Sequence, residues 1–180
     1  MIKILNENMK FLKKREGYIL IEMIIFLTVS MIIIMTSYII IMFAIHEFNT
    51  VNYYSELEEI SLCVQDKIRM EISESIDIVG YDKYLNSVKD GQYTQIKRLY
   101  YICRDRENRE NIVQKNISIS DEKLYIGKKS KYQIGNYVDK IFISEEKNKD
   151  DELIAVSFKI EYKKSKVKYM SKFKVYKKNK

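Results

Sequence analysis

Glu22 is the residue whose setting most demands a chemical explanation. It is the single charged side chain in an otherwise apolar run from Tyr18 to Ile45. A charge inside such a run costs up to about 3 kcal/mol on membrane-insertion scales, so a compensating cation is expected near it. Three cations (Lys13, Lys14, Arg15) precede it, followed by Glu16, Gly17 and Tyr18. Other chemistry is sparsely provided. His46 is the one histidine, which leaves neither a Ser/His/Asp triad nor a credible zinc set. Neither G-x-x-x-x-G-K nor G-x-G-x-x-G occurs. The remaining acids fall in charged loops or on a polar helix face, and no pair stands out for general acid–base work. The expectation is a protein that is not an enzyme, with no metal and no cofactor.

The element that positions Glu22 is the run itself. Its 28 residues would span about 42 Å as a helix, more than the ~30 Å of bilayer hydrocarbon. The basic flank predicts a cytoplasmic N-terminus and an outward-facing C-terminal part. A cleaved secretory signal has an apolar core of about 7–15 residues and small residues before the cut; this run is longer, and Met42-Phe43-Ala44 matches the cleavage pattern poorly. A lipoprotein signal would need a cysteine just after the run, and the nearest is Cys63. A plain signal anchor fits the length and leaves Glu22 to snorkel from one turn inside.

The order of residues, Lys13-Lys14-Arg15-Glu16-Gly17-Tyr18-Ile19-Leu20-Ile21-Glu22-Met23, closely resembles the processing motif of type IV prepilins and of the pseudopilins of related secretion and DNA-uptake machines. The resemblance implies a leader over 1–17, cleavage by a prepilin peptidase between Gly17 and Tyr18, N-methylation of Tyr18, and Glu22 as the acid needed for assembly. Tyr18 stands where Phe is commoner and Ile19 where Thr is common, which bears on methylation more than on cleavage. The implied partners are the peptidase, other pilin or pseudopilin subunits, the inner-membrane assembly platform and membrane lipid. The implied location is the cell membrane, single-pass, and then an extracellular filament or the cell surface.

The motif also makes chemical sense. A glycine before the scissile bond lets the backbone enter a membrane-level active site without side-chain clashes. Cleavage would create an α-amine at the first turn of a helix, where the macrodipole disfavours positive charge. A carboxylate one turn in can offset that charge, on its own chain or on a neighbour in a filament.

Composition sets the scale of the rest. The 180 residues carry 32 Lys+Arg against 25 Asp+Glu, and removal of 1–17 would leave 27 against 23, a net +4. That length fits one domain plus an anchor. Proline is absent, so a straight N-terminal helix is expected. Tyr53, Leu57, Ile60, Val64, Ile68, Ile72, Ile76 and Val79 recur at helical spacing, which predicts an amphipathic helix over 46–79 closed by Gly80 as a C′ residue. Glu58, Asp66, Lys67, Arg69, Glu71, Glu74 and Asp77 are placed on its wet face. A continuous helix over 18–79 would be roughly 90 Å long.

Beyond Gly80 the pattern turns to strands. Residues 81–96 read as irregular and polar, with a turn at Lys89-Asp90-Gly91-Gln92. Strands are expected over 97–104, 111–120, 123–127, 138–144, 153–162 and 166–176. The last two form the clearest hairpin, since Val156, Phe158, Ile160 and Tyr162 alternate with polar residues. The predicted fold is α+β and pilin-like: a long N-terminal helix, half membrane-embedded (18–45) and half amphipathic (46–79), packed on an antiparallel sheet in a head over 80–180.

Two features stay open. Cys63 and Cys103 could form a disulfide closing a ~40-residue loop, worth about 4 kcal/mol, or remain two buried thiols. The segment 159–180 holds ten lysines and one acid, Glu161. It reads either as an anion-binding face, nucleic acid included, or as the solvated edge of a terminal hairpin. The leading expectation is a structural subunit, a minor pilin or pseudopilin of a type IV pilus, type II secretion or competence-type filament. The alternatives are a tip-binding module (an adhesin or DNA contact) and an unprocessed single-pass membrane protein.

Overall fold

The computed structural model describes the backbone of residues 2–84, 89–105, 110–128, 131–147 and 153–177, and side chains from Tyr18 onward within these, Lys89 excepted. The architecture is α+β. One helix, α1 (Ile2–Ser73), is followed by nine antiparallel strands: β1 (Asp77–Lys83), β2 (Lys89–Asp90), β3 (Tyr93–Arg104), β4 (Ile112–Ser120), β5 (Lys123–Gly127), β6 (Lys131–Gly135), β7 (Val138–Lys147), β8 (Leu153–Lys164) and β9 (Val167–Tyr176). The chain divides into two compact units, Met1–Asn49 and Thr50–Lys180.

The first unit is helix throughout from Ile2, so the residues read as a leader are helical and Gly17 lies inside α1. From Tyr18 to Ile45 its large apolar side chains are exposed. Two of the hydroxyls that interrupt the run, those of Thr28 and Thr36, are satisfied by their own helix. Thr28 donates to the Ile25 carbonyl at 2.8 Å, and Thr36 to those of Ile32 and Ile33 at 3.0 Å each. Back-bonding of this kind spares these two hydroxyls the need for water.

In the second unit, α1 keeps the expected apolar stripe only as far as it remains a helix. Leu57, Val64, Ile68 and Ile72 are buried in the core. The helix stops at Ser73, not near Val79. The Ser75 hydroxyl (2.7 Å) and its N–H (3.2 Å) both donate to the Ile72 carbonyl. The next N–H, of Ile76, is already taken by the Ile102 carbonyl of β3 at 2.7 Å. Ser75 therefore closes the last turn, and the sheet captures the chain from Ile76 onward. Ile76 and Val79 are consequently exposed, not part of the stripe. Gly80 is not a helix cap. It sits at a register shift of β1 with φ 156°, a bulge position where glycine is favoured.

Strand β3 is the seam of the sheet. Along one edge it pairs with β1 and β2. Along the other it pairs with β4 over Arg98–Arg104 and with β7 over Thr94–Ile96. The sheet forks at Lys97 into two branches, β4-β5-β6 and β7-β8-β9, and curls as a result. The inner faces of both branches share one core with the head part of α1. Leu124 and Ile126 come from one branch, and Phe158, Ile160, Phe173 and Val175 from the other. Phe158 and Phe173 are directly paired across β8 and β9, with rings stacked at 5.3 Å. Gly135 ends β6 against the helix: a Cβ built there would lie 2.5 Å from Val64 Cγ2. Only glycine lets the two backbones approach this closely.

The expected strands over 97–104, 111–120, 123–127, 138–144, 153–162 and 166–176 all occur, with β3, β7 and β8 longer than read. β1, β2 and β6 were not anticipated. Gly91 (φ 62°) lies in the turn between β2 and β3, as expected.

Candidate functional site

Residues 13–23 lie on one continuous helix. Tyr18 is 74% exposed and Glu22 is exposed one helical turn further on. A carboxylate four residues from Tyr18 on a helix lies on nearly the same face, so a new amine at residue 18 and the Glu22 carboxylate would be neighbours. The helix is long and apolar enough to cross a membrane. With its apolar side chains uncovered over more than seven turns, this surface requires lipid or other apolar helices around it. His46 is exposed on the same helix just past the run. Among the described residues no cluster of three or more His, Cys, Asp or Glu is placed to hold a metal.

Cys63 and Cys103 are both free. Cys63 is exposed because Val64, not Cys63, faces the core. Cys103 is buried on β3, and its thiol lies 3.7 Å from the Val113 carbonyl. The disulfide is not formed, and the alternative of two buried thiols holds only for Cys103. Burial pushes the Cys103 thiol pKa up, with Lys115 partly opposing it.

The acid that the helical pattern misplaced is Glu71. It is 5% exposed and is met by side chains from β3, β4 and β6. Tyr101 of β3 donates to Oε2 at 2.9 Å, Lys115 of β4 donates to Oε2 at 3.0 Å, and Tyr132 of β6 donates to Oε1 at 3.1 Å. One carboxylate thus gathers three strands onto the helix. Burial pushes its pKa up, but the bonds from Lys115, Tyr101 and Tyr132 outweigh it and hold the group below its ordinary range. Burial, and then the adjacent Glu71 charge, push the Tyr101 phenol far above its usual value. The role of this cluster is structural. The sequence holds no signal that separates Glu71 from Glu56, which stands in the same way just before the buried Leu57.

The lysine-rich end divides in two. Lys159, Lys164, Lys174 and Lys177 each carry an acidic partner: Asp90 and Glu161, Glu56, Glu146 and Asp77 respectively. Lys159 is not on a wet face. It is 5% exposed, lying 5.0 Å over the Phe142 ring with Asp90 closing it off. The Asp90 carboxylate raises its pKa. Among the described residues, Lys163, Lys166, Lys168 and Lys172 are exposed and make no ion pair.

A small cavity between the end of α1, β1, β8 and β9 is lined by Ile72, Ser75, Ile78, Leu153, Ala155, Val156, Val175 and Lys177. It has room for about one water molecule. No protein-family model, no curated protein and no solved structure matches this chain.

Proposed function

We propose that this chain is a prepilin-type filament subunit, a minor pilin or pseudopilin. It is cut after Gly17 by a prepilin peptidase and inserted into a pilus or pseudopilus through its N-terminal helix. The observation that carries this reading is the placement of Glu22. It is the sole charge in the apolar run, one turn beyond a Gly–aromatic junction that comes after three cations, on a helix with that run uncovered. A folded α+β unit with its own core follows the run, which suits a subunit whose head is displayed outside the membrane. The role is one of assembly. Helix–helix burial supplies the adhesion, and the Glu22 carboxylate sets register by meeting the Tyr18 amine of a neighbouring subunit.

In a low-dielectric helix bundle, leaving one member of such a pair without the other costs about 3–5 kcal/mol. The test is incorporation. Glu22→Ala and Glu22→Gln subunits, expressed beside the assembly machinery, should be cleaved normally yet recovered in sheared filaments at a few per cent of the wild-type amount or less. Incorporation at the wild-type level would overturn the assignment.

A further inference from the structure

Three of the lysines that carry no ion pair among the described residues lie at the tip of the β8–β9 hairpin. Lys163 and Lys168 face each other directly across the two strands, an arrangement of like charges that destabilises a hairpin. Lys166 lies between them in the two-residue turn with Ser165 (φ 55°). All three are exposed, and none has an ion-pair partner among the described residues. Further along the same hairpin Lys159, Lys174 and Lys177 are each neutralised. Lys172, opposite Lys159, is the hairpin's fourth lysine without an ion pair among the described residues, so three of the four lie at this end.

That end is pinned beside the first turns of the helix in this unit. Lys164, next to the turn, pairs with Glu56 and lies over the rings of Tyr53 and Tyr137 at 5.1 and 4.7 Å. Tyr169 meets Tyr54 edge-on at 5.3 Å, and Tyr54 remains 48% exposed. Tyr53 comes eight residues after Ile45, the end of the apolar run, so chain connectivity holds it within about 28 Å of that point. Tyrosines with lysines reaching past them are the composition of a membrane–water interface.

We propose that the β8–β9 tip, through Lys163, Lys166 and Lys168, seats on the anionic headgroups of the bilayer that holds the apolar run. Three cations at one hairpin end, beside tyrosines at the first turns of the helix in this unit, fit an anionic headgroup surface. The proposal rests on the membrane-spanning reading of α1 and adds a second, electrostatic contact to it.

The experiment uses the full chain in lipid nanodiscs, either phosphatidylcholine alone or with a third of the lipid as phosphatidylglycerol. A polarity-sensitive fluorophore is placed at Ser165→Cys in a Cys63→Ser background, and in a second sample at Ile34→Cys. The tip label should shift to the blue in phosphatidylglycerol discs at low salt. The shift should be lost at high salt, and the docked-to-free ratio should fall about fivefold for each of K163Q, K166Q and K168Q. These exposed substitutions should leave thermal unfolding of the head unchanged. A tip signal that is the same in both lipids, while the Ile34 label reports hydrocarbon, overturns the headgroup contact alone. A water-exposed Ile34 label means instead that the spanning reading has failed, and a tip shift that persists there still supports headgroup binding. Short duplex DNA producing the same shift in phosphatidylcholine discs would assign the tip to nucleic acid and overturn the proposal.

Discussion

The Tyr101 hydroxyl donates to Glu71 Oε2 at 2.9 Å, so the helix and the seam strand meet through a buried acid and not through apolar contact alone. Lys115 and Tyr132 complete the same carboxylate. Glu71→Ala would leave the buried Tyr101 phenol and the half-buried Lys115 without this carboxylate, whereas Tyr132 is exposed. Lys115 is partly solvated, with a side-chain exposure of 21%, which reduces the penalty below that of a fully buried pair. The expected loss is about 2–3 kcal/mol, read as a lowered denaturant midpoint of the head in detergent-solubilised protein.

Acid should remove the same contribution. The folded-state pKa of Glu71 is depressed from 4.5, and that of Asp77 from 3.8 by its bond from Lys177. A depressed carboxylate contributes stability that is present above its unfolded pKa and lost as pH falls through its folded value. Stability should therefore be level from neutral pH down to about 4.5 and fall below it. Glu71→Gln should be less stable than wild type at pH 7, and the gap should close on acidification. A gap that is constant with pH would contradict the ionised assignment.

Gly135 and Val64 form a second tight joint between sheet and helix. Gly135→Ala places a methyl group 2.5 Å from Val64 Cγ2 and should cost about 1–3 kcal/mol through overpacking. Combining it with Val64→Ala should recover part of that loss, giving a favourable coupling in a double-mutant cycle. Strict additivity would show that the helix and β6 do not touch at this point.

The β4–β5 turn is built from two residues that both hold positive φ, Asp121 (51°) and Glu122 (58°). Left-handed backbone costs a non-glycine residue roughly 1–2 kcal/mol. Glu122→Gly should accordingly raise the melting temperature of the head, as a two-residue hairpin turn of this hand favours glycine there. A lower melting temperature would mean that the Glu122 side chain makes a contact worth more than the strain.

The thiols should behave differently from one another. One thiol per chain, Cys63, should react with a maleimide in the native protein, and Cys103 should react only on denaturation. An intact disulfide in the non-reducing mass would contradict the structure.

Where one face of an element is dry and the other wet, the sequence is readable. Phe158, Ile160 and Tyr162 on β8 alternate cleanly because they face a single core, and Leu57 to Ile72 do so on the helix. Legibility fails where both faces are used. Lys159 is polar by type yet 5% exposed, because Asp90 at the end of β2 pairs with it. Glu71 has the pattern of a solvated residue because helical spacing does not anticipate a sheet that curls round to meet the flank of the stripe. The end of α1 is misleading in the sequence because Gly80 suggests a cap, whereas Ser75 performs that role five residues earlier. β6 gives little signal because Lys131, Tyr132 and Gln133 are all exposed; its burial rests on Ile134 and Gly135 alone. For the motif itself, the adjacency of Tyr18 and Glu22 on one helix is legible in full, since a four-residue spacing fixes it.

The central claim is that the acid in the apolar run awaits an amine made by proteolysis. Sequencing the N-terminus of the protein recovered from membranes of cells with an active prepilin peptidase tests this most directly. The account predicts a chain beginning at Tyr18; a chain beginning at Met1, with residues 1–17 still attached, would contradict it.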